Sequence, residues 1–162
     1  MRVYLASFFA DKDRVVKRCA ELNAMGIETT SRWASEDVPY ACKITDKPAQ
    51  YMRETAVADI DDILRSDKLV LTIPTPEELM NLTAHQLSRG GRNFESGFIY
   101  GLMVAGHTYG KKELIIMGKQ ENVFHFLDGK LEAAKYPAVT VIETWEGVKS
   151  YLATQVGYTD QA

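Results

Sequence analysis

Short apolar runs alternate along this chain with segments whose apolar residues recur every three or four positions. Runs of the first kind predict strands covered on both faces, and segments of the second kind predict amphipathic helices. Residues 2–6 begin the pattern as a strand, and residues 12–25 follow as a helix that ends at Gly26. Further on, the predicted strands are residues 27–30, 68–73, 113–117 and 138–142, and the predicted helices are residues 50–65, 94–106, 122–127 and 145–154.

Five strands with helices between them predict a doubly wound α/β sandwich built on a mostly parallel sheet. A chain of 162 residues without an internal repeat or a Ser/Gly linker fits one domain, residues 1–162. Residues 33–48 have no clean period and predict a loop or lid that includes Tyr40. Ligands of such sheets bind beyond the carboxyl ends of the strands, so we expect the functional residues at this edge.

Composition narrows the choice of ligand and location. The chain is 46% hydrophobic and 25% charged with a net charge of −3, which is typical of a globular protein and argues against a general nucleic-acid surface. No apolar run approaches the ~20 residues that span a bilayer, and we expect no signal peptide. Cys19 and Cys42 lack metal or redox spacing, so we expect packed thiols in a reducing cytoplasm. We predict no metal site, because His85 and His107 lack partners at ligand spacing and His125 has the apolar neighbours of a packed or interface residue.

The segment around Glu95 carries the most distinctive chemistry. It places one carboxylate at the start of an otherwise apolar, small-residue helix, with Arg89 and Arg92 beside it. The preceding glycines permit backbone turns, and a helix N-terminus offers free N–H groups and a positive dipole end to an anion. Glu95 is therefore either a catalytic carboxylate or a first-turn acid that caps the helix. The two arginines are either phosphate ligands or a solvated surface pair.

The predicted topology brings residues from several turns to one edge of the sheet. Aromatic residues there either stack on a flat base or fill the core. Asp67, at the entrance of the third strand, is expected at the opposite edge as a cap or turn residue. The residues on the expected ligand edge are Ser7, Phe8, Phe9, Arg32, Trp33, Arg89, Arg92 and Glu95, and the helix before the third strand adds Asp59, Asp61 and Asp62.

Four motifs together suggest a family. They are VYLAS in the first strand, DIDDILRSD leading into LVLTI, GRNFESG around Glu95, and ENVFH from Glu121 onward. This set, within residues 1–127, resembles the nucleoside 2-deoxyribosyltransferase family, which includes 2'-deoxynucleoside 5'-phosphate N-hydrolases. The resemblance implies a flavodoxin-like fold and cleavage of an N-glycosidic bond through a covalent deoxyribosyl-glutamate.

The resemblance also implies roles for individual residues. Glu95 matches the family's nucleophile, and Asp59 matches the aspartate that protonates the leaving base. Tyr4 lies where the family often has a tyrosine oriented towards the nucleophile. Asn122 and Phe124 match a pair that reaches into a neighbouring subunit's site. This match implies a homo-oligomer, a dimer or larger, with shared active sites.

One difference from the transferase pattern concerns the substrate. The family's transferases have acidic residues ahead of the nucleophile motif, where this chain has Arg89, Gly90, Gly91 and Arg92. Arginine forks and free backbone N–H groups favour phosphate. We therefore expect a nucleoside 5'-monophosphate or another phosphorylated riboside in preference to a free nucleoside.

The leading hypothesis is an enzyme without a cofactor that cleaves the N-glycosidic bond of a (deoxy)nucleotide. Attack at the anomeric carbon develops oxocarbenium charge that a carboxylate stabilises and traps, while a second acid serves the leaving base. A second base as acceptor gives transfer and water gives hydrolysis, and the sequence leaves both open. Two other functions also remain, a non-catalytic nucleotide-binding module that acts as a sensor or sponge, and a glycohydrolase of NAD-like dinucleotides.

Overall fold

The computed structural model describes residues 1–35, 47–80, 90–106, 112–127 and 136–157, which contain one five-stranded sheet. Its strands are β1 (Arg2–Ala6), β2 (Glu28–Thr29), β3 (Lys68–Thr72), β4 (Glu113–Met117) and β5 (Thr140–Ile142). They lie in the flavodoxin-like order β2-β1-β3-β4-β5, and every neighbouring pair is parallel. The predicted α/β fold with a mostly parallel sheet is confirmed.

Helices cover both faces of this sheet. They are α1 (Lys12–Ala24), α2 (Ala49–Arg65), α3 (Pro76–Met80), α4 (Gly90–Val104) and α5 (Trp145–Val156). The α2 and α4 helices contact each other on one face, and α5 lies beside α1 on the other, where Lys149 pairs with Glu21 at 2.9 Å. Right-handed crossovers produce this division, because the chain first moves from β1 to one edge and then returns towards the other.

The central strands are buried because helices cover them from both sides. Every residue of β3 is buried, as is all of β1 after its first residue. Side chains alternate between the two faces, so Tyr4 of β1 points towards α4 while Thr72 of β3 points towards α1. Tyr4 is among the largest side chains that the core buries completely. A buried tyrosine hydroxyl needs a hydrogen-bond partner, and the helices on its face must provide it.

The start of α4 differs from the sequence-based prediction. The helix begins at Gly90 rather than at residue 94, so Glu95 lies in its second turn and the first turn holds no acidic residue. The expectation that Glu95 stands at the start of the helix is therefore wrong. The glycines extend the helix and do not turn the chain, and Gly91 has no positive φ, in contrast to Gly26, which ends α1 as predicted.

The remaining elements follow the predicted pattern with shifted ends. Among these, β5 begins at Thr140 instead of residue 138, and α5 ends at Val156 instead of residue 154. A 3-10 helix, Arg32–Ser35, overlaps the start of the predicted loop, and another, Val123–Phe126, lies within the predicted short helix. The rest of the predicted lid, including Tyr40, lies outside the described residues. No helix in the described ranges has the length and apolar character to cross a membrane.

Candidate active site

A hydrogen bond between β1 and α4 is the centre of the candidate site. The hydroxyl of Tyr4 donates to Oε1 of Glu95 over 2.7 Å, although 91 positions separate the two residues in the chain. Tyr4 reaches α4 because the strand alternation turns it to this face, and Glu95 is partly buried against the sheet. The alternative that Glu95 is a first-turn cap is therefore wrong, since its carboxylate binds a core tyrosine.

Burial and a neighbouring acid shift the protonation of Glu95. Removal from water raises the pKa of Glu95 to about 7, and the charge of Asp59 adds to this increase, while the hydrogen bond from Tyr4 opposes it. Burial, followed by the charges of Glu95 and Asp59, raises the pKa of Tyr4 well above its usual range. Tyr4 therefore keeps its proton and remains a donor at neutral pH.

Asp59 of α2 belongs to the same electrostatic group. Its charge acts on both Glu95 and Tyr4, so the structure brings the two predicted acids and the tyrosine together from three separate elements. Two interacting carboxyl groups do not ionise independently, because the charge of one disfavours the charge of the other. Near neutral pH such a pair can hold one carboxylate and one protonated acid, which is the combination that nucleophilic attack with proton donation requires.

A buried acid next to this group fixes the local geometry. Oδ1 of Asp62 accepts from Nε of Arg32 at 2.8 Å and from Nη2 of Arg65 at 2.6 Å, and Oδ2 accepts from the backbone N–H of Arg32 at 3.0 Å. These bonds tie the Arg32–Ser35 helix to α2 one turn after Asp59. Sequence reasoning placed Arg32 and Asp62 at the ligand edge but missed their ion pair. The sequence signal for this pair was the group Asp59, Asp61 and Asp62, of which the structure exposes Asp61 and buries Asp62.

Two of the three predicted stacking aromatics are core residues. Phe8 and Trp33 are 7% and 8% exposed, and the indole Nε1 of Trp33 donates to the carbonyl oxygen of Leu5 at 2.9 Å. Phe9 is 36% exposed. Of the three, Phe9 therefore offers the larger surface to a ligand. Ser7 is buried as well, and its hydroxyl donates to Oδ2 of Asp11 at 2.6 Å.

Arg92 lies inside the protein and is not a solvated surface residue. It is 3% exposed, its Nη1 donates to the carbonyl oxygen of Thr72 at 3.0 Å, and its Nη2 donates to Oε1 of Glu121 at 2.9 Å. The guanidinium thus joins α4 to the ends of β3 and β4, and a direct contact with a substrate phosphate has no support in this arrangement. Gly91 is exposed with open space around its Cα, whereas Arg89 lies outside the described residues.

The predicted subunit-contact segment is held by its own hydrogen bonds. Oδ1 of Asn122 accepts from the N–H of Phe124 at 3.0 Å and caps the Val123–Phe126 helix, while its Nδ2 lies 2.8 Å from Nε2 of His125. His125 is buried, as predicted for a packed histidine, and burial lowers its pKa. Phe124 is 70% exposed, and the side chains of Val123 and Phe126 in the same helix are exposed as well. The segment therefore presents an apolar surface outward.

Two further predictions concern residues away from this group. Asp67 is at the opposite edge of the sheet as predicted, where its Oδ2 accepts from the N–H of Arg2 at 2.7 Å. Within the described part of the chain, no group of three or more His, Cys, Asp or Glu side chains is arranged to hold a metal ion. Cys19 is a half-buried free thiol packed against the core. His85, His107 and Cys42 lie outside the described residues.

Comparison with solved structures gives matches to enzymes of nucleoside and nucleotide chemistry. A 2-deoxyribosyltransferase from the psychrotolerant bacterium Bacillus psychrosaccharolyticus matches with a TM-score of 0.59 and 18% identity, over 93% of this chain and 92% of that protein. A CMP N-glycosidase from Clostridium botulinum matches with a TM-score of 0.48 and 16% identity, over 98% of this chain and 99% of the other. No protein-family model matches the sequence, and no curated protein matches it. The first match shows a fold shared over nearly the full length of both chains.

Proposed function

We propose that this protein is an enzyme that cleaves the N-glycosidic bond of a (deoxy)nucleoside 5'-monophosphate or a related nucleoside. In this proposal the sugar is held covalently on Glu95 and then passes to a second base or to water. The observation that carries it is the hydrogen bond of 2.7 Å from Tyr4 to Glu95, within reach of the charge of Asp59. Sharing its fold with a 2-deoxyribosyltransferase supports the same conclusion.

The first step uses the two carboxyl groups in different protonation states. The ionised carboxylate of Glu95 attacks the anomeric carbon, and the bond between that carbon and the base nitrogen breaks. The leaving base takes the electron pair and receives a proton from Asp59. The donor hydroxyl of Tyr4 occupies Oε1 of Glu95, which leaves Oε2 to form the bond with the sugar.

The second step reverses these roles. Asp59, now ionised, accepts a proton from water or from the N–H of an incoming base. The acceptor forms a bond to the anomeric carbon, the ester bond to Glu95 breaks, and the carboxylate is regenerated. With a 5'-monophosphate as substrate, water gives a free sugar phosphate and a second base gives a new nucleotide, so the acceptor alone decides between hydrolysis and transfer.

The 5'-phosphate of the substrate is proposed to bind at the N-terminus of α4. Gly91 is exposed there, and the first turn of a helix offers unpaired N–H groups to an anion. Arg89 precedes this turn in the sequence and remains the proposed cationic ligand, while Arg92 acts from inside the protein. A lower kcat/KM for deoxynucleosides than for their 5'-monophosphates is the outcome that supports this assignment.

Shared active sites between subunits are part of the proposal. The exposed side chain of Phe124 and its apolar neighbours supply a surface that a second copy of the chain can cover. We propose a homodimer or larger homo-oligomer in which Asn122 and Phe124 of one protomer border the Glu95 of its partner.

The decisive experiment is mass spectrometry of the intact protein after brief exposure to a panel of deoxynucleoside monophosphates. A deoxyribosyl phosphate adduct that peptide analysis places on Glu95 is the expected result, and Glu95→Ala should lose both the adduct and base release. Glu146→Ala, an exposed change on α5, is the matched control and should keep both. Unchanged base release in Glu95→Ala would overturn the mechanism, and tight nucleotide binding without cleavage over hours would favour a sensor.

Adding a second free base to the same reaction separates transfer from hydrolysis. An exchanged nucleotide identifies a transferase, and release of the free sugar phosphate alone identifies a hydrolase. Incubation with NAD followed by detection of nicotinamide tests the remaining alternative.

A further inference from the structure

A cavity opens on the face of the sheet opposite to Glu95. It has a volume of about 250 Å³ and lies where α1, α5 and the segments after β3 and β4 meet. Thr72 marks the separation of the two sites, because its hydroxyl faces Arg18 of α1 while its carbonyl oxygen accepts from Arg92 of α4. The chemistry proposed for Glu95 does not use this cavity. The charged residues that line the cavity are different from those around Glu95.

The cavity wall carries three cationic and two anionic side chains. Arg14, Arg18 and Lys119 line it together with the carboxylates of Glu78 and Glu143, although the whole chain has a net charge of −3. The charge of Arg14 is compensated locally, since its guanidinium pairs with Glu78 and with Oδ1 of Asp11 at 2.5 Å. Glu78 is in turn committed to this pair and to the N–H of Thr75. Arg18 and Lys119 are therefore the two cationic side chains of the wall that remain available to a ligand.

Neighbouring side chains hold the guanidinium of Arg18 in place and leave some of its N–H donors available. Its Nη1 donates to the hydroxyl of Thr72 at 3.2 Å, and its guanidinium lies over the ring of Trp145, 5.0 Å from the centroid. The nearest carboxylate oxygen, on Asp11, is 3.8 Å away and already serves Ser7. Within the described chain, Nε and Nη2 of Arg18 have no acceptor. Burial lowers the pKa of Arg18, and the nearby charge of Arg14 adds to this decrease.

The hydroxyl groups in the wall and the size of the cavity indicate what kind of ligand it suits. Thr72 and Thr75 add two hydroxyl groups to the wall. Drug-sized ligands need pockets of roughly 300 to 1,000 Å³, so the cavity of about 250 Å³ suits a small ion or a single charged group. Guanidinium and hydroxyl donors that converge in a partly buried space match the oxygen atoms of a tetrahedral dianion.

We propose that this cavity binds a phosphate group, with Arg18 and Lys119 as the charged ligands and Thr72 and Thr75 as hydroxyl donors. Trp145 closes one side and fixes the guanidinium plane by stacking. The ligand is free phosphate or a small phosphate monoester, and the site is separate from the one proposed for the substrate.

The experiment is a titration of the full chain with sodium phosphate, followed through the indole N–H signals of its two tryptophans by NMR. The Trp145 signal should move and saturate, whereas Trp33, buried and bonded to Leu5 on another part of the fold, should stay. Sodium chloride at matched ionic strength controls for general screening. Trp145→Phe assigns the signals, and ribose 5-phosphate tests whether a monoester binds more tightly than the free ion.

Substitutions of exposed side chains decide whether the cavity is the site. Lys119→Ala should weaken phosphate binding about threefold to tenfold, and Glu143→Gln should tighten it by removing a nearby negative charge. Lys17→Ala, on the solvent side of α1, makes the same change in net charge and should leave binding unaltered. Arg18→Lys keeps the charge but loses the fork and should reduce affinity further.

Two results would overturn the proposal. One is a Trp145 signal that responds to chloride as it does to phosphate. The other is an equal loss of affinity in Lys119→Ala and Lys17→Ala, which would mean that phosphate responds only to net charge. Lys119 and Lys17 are both exposed, so neither outcome depends on variants that fail to fold.

Discussion

At the scale of single residues, opposing influences meet on the carboxyl group of Glu95. Burial and the charge of Asp59 raise its pKa, and the hydroxyl of Tyr4 lowers it by stabilising the ionised form. The resulting pKa of about 7 keeps a fraction of the Glu95 carboxyl groups ionised at neutral pH. A nucleophile needs that ionised form, so activity should depend on pH through this one group and its partner Asp59.

We predict an acid limb in the pH profile of kcat/KM with an apparent pKa of about 7, below which activity falls as Glu95 takes up a proton. Asp59→Asn removes the acid that serves the leaving base, so the rate should fall by about 10²- to 10⁴-fold. It also leaves Glu95 to titrate without a second carboxyl group whose ionised form opposes its own ionisation, so the acid limb should move to lower pH. Tyr4→Phe removes a stabilising donor, so its limb should move to higher pH.

The matched control for these two variants is Asp61→Asn. Asp61 is exposed, two positions from Asp59, and its substitution should leave the limb where it is. Steady-state kinetics across pH measure all four proteins. Shifts of Asp59→Asn and Tyr4→Phe in the same direction would contradict the arrangement.

At the scale of elements, one buried side chain of α4 joins the helix to both β3 and the segment after β4. Arg92 donates to the end of β3 through Thr72 and to Glu121 after β4, one turn before Glu95. The geometry of the candidate site thus depends on an ion pair outside it, in which Arg92 is buried and the side chain of Glu121 is 19% exposed. Removal of the guanidinium takes a donor away from the buried carbonyl oxygen of Thr72 and breaks the ion pair.

We therefore predict that Arg92→Met lowers the free energy of unfolding by about 1–3 kcal/mol, measured by urea denaturation. Arg92→Lys should not restore it, because one ammonium group lacks the planar fork that serves both acceptors. Arg53→Met, on the exposed side of α2, is the control and should change stability little. Full stability of Arg92→Met combined with a raised KM for monophosphates would instead identify Arg92 as a phosphate ligand.

At the scale of the whole molecule, the proposed oligomer makes one site depend on two chains. Phe124→Ala should fold, since this side chain is 70% exposed, but it should lose activity if Phe124 borders the partner's Glu95. Mixed dimers of Phe124→Ala and Glu95→Ala contain one intact site each. Random mixing should therefore recover about one quarter of the wild-type activity per chain from two inactive proteins.

The control for this complementation is a mixture of Asp59→Asn with Glu95→Ala. Both residues belong to the same chain's site, so mixed dimers then contain no intact site and activity should stay low. Activity assays after unfolding and joint refolding measure both mixtures. Failure of the first mixture to exceed its separate components would mean that sites are not shared.

Much of the fold was predictable because each element depends on local periodicity. The apolar run of β3 and the helical spacing that ends at Gly26 have short-range signals, and their order along the chain predicts a doubly wound sheet. The start of α4 was not predictable from the same signals. Gly90 and Gly91 are compatible with both a turn and a helix, and contacts elsewhere in the fold select the helix.

The roles of the polar residues were only partly predictable. The motifs point to Glu95, Asp59 and Tyr4, and the structure places these three groups within electrostatic reach of one another. The same reasoning treated Arg92 as a ligand or a solvated residue, and the structure buries it between two acceptors. Burial of a charged residue depends on what its neighbours in space supply, and those neighbours are distant in the chain.

The sequence by itself determined the alternation of strands and helices, and with it the parallel sheet and the edge where ligands are expected. Only the tertiary structure decided which polar groups pair, such as Tyr4 with Glu95 and Arg32 with Asp62. The physical reason is the separation along the chain over which each interaction acts. Hydrophobic periodicity is written over a few consecutive residues, whereas hydrogen bonds and charge interactions depend on distances that exist only after packing has brought remote segments together.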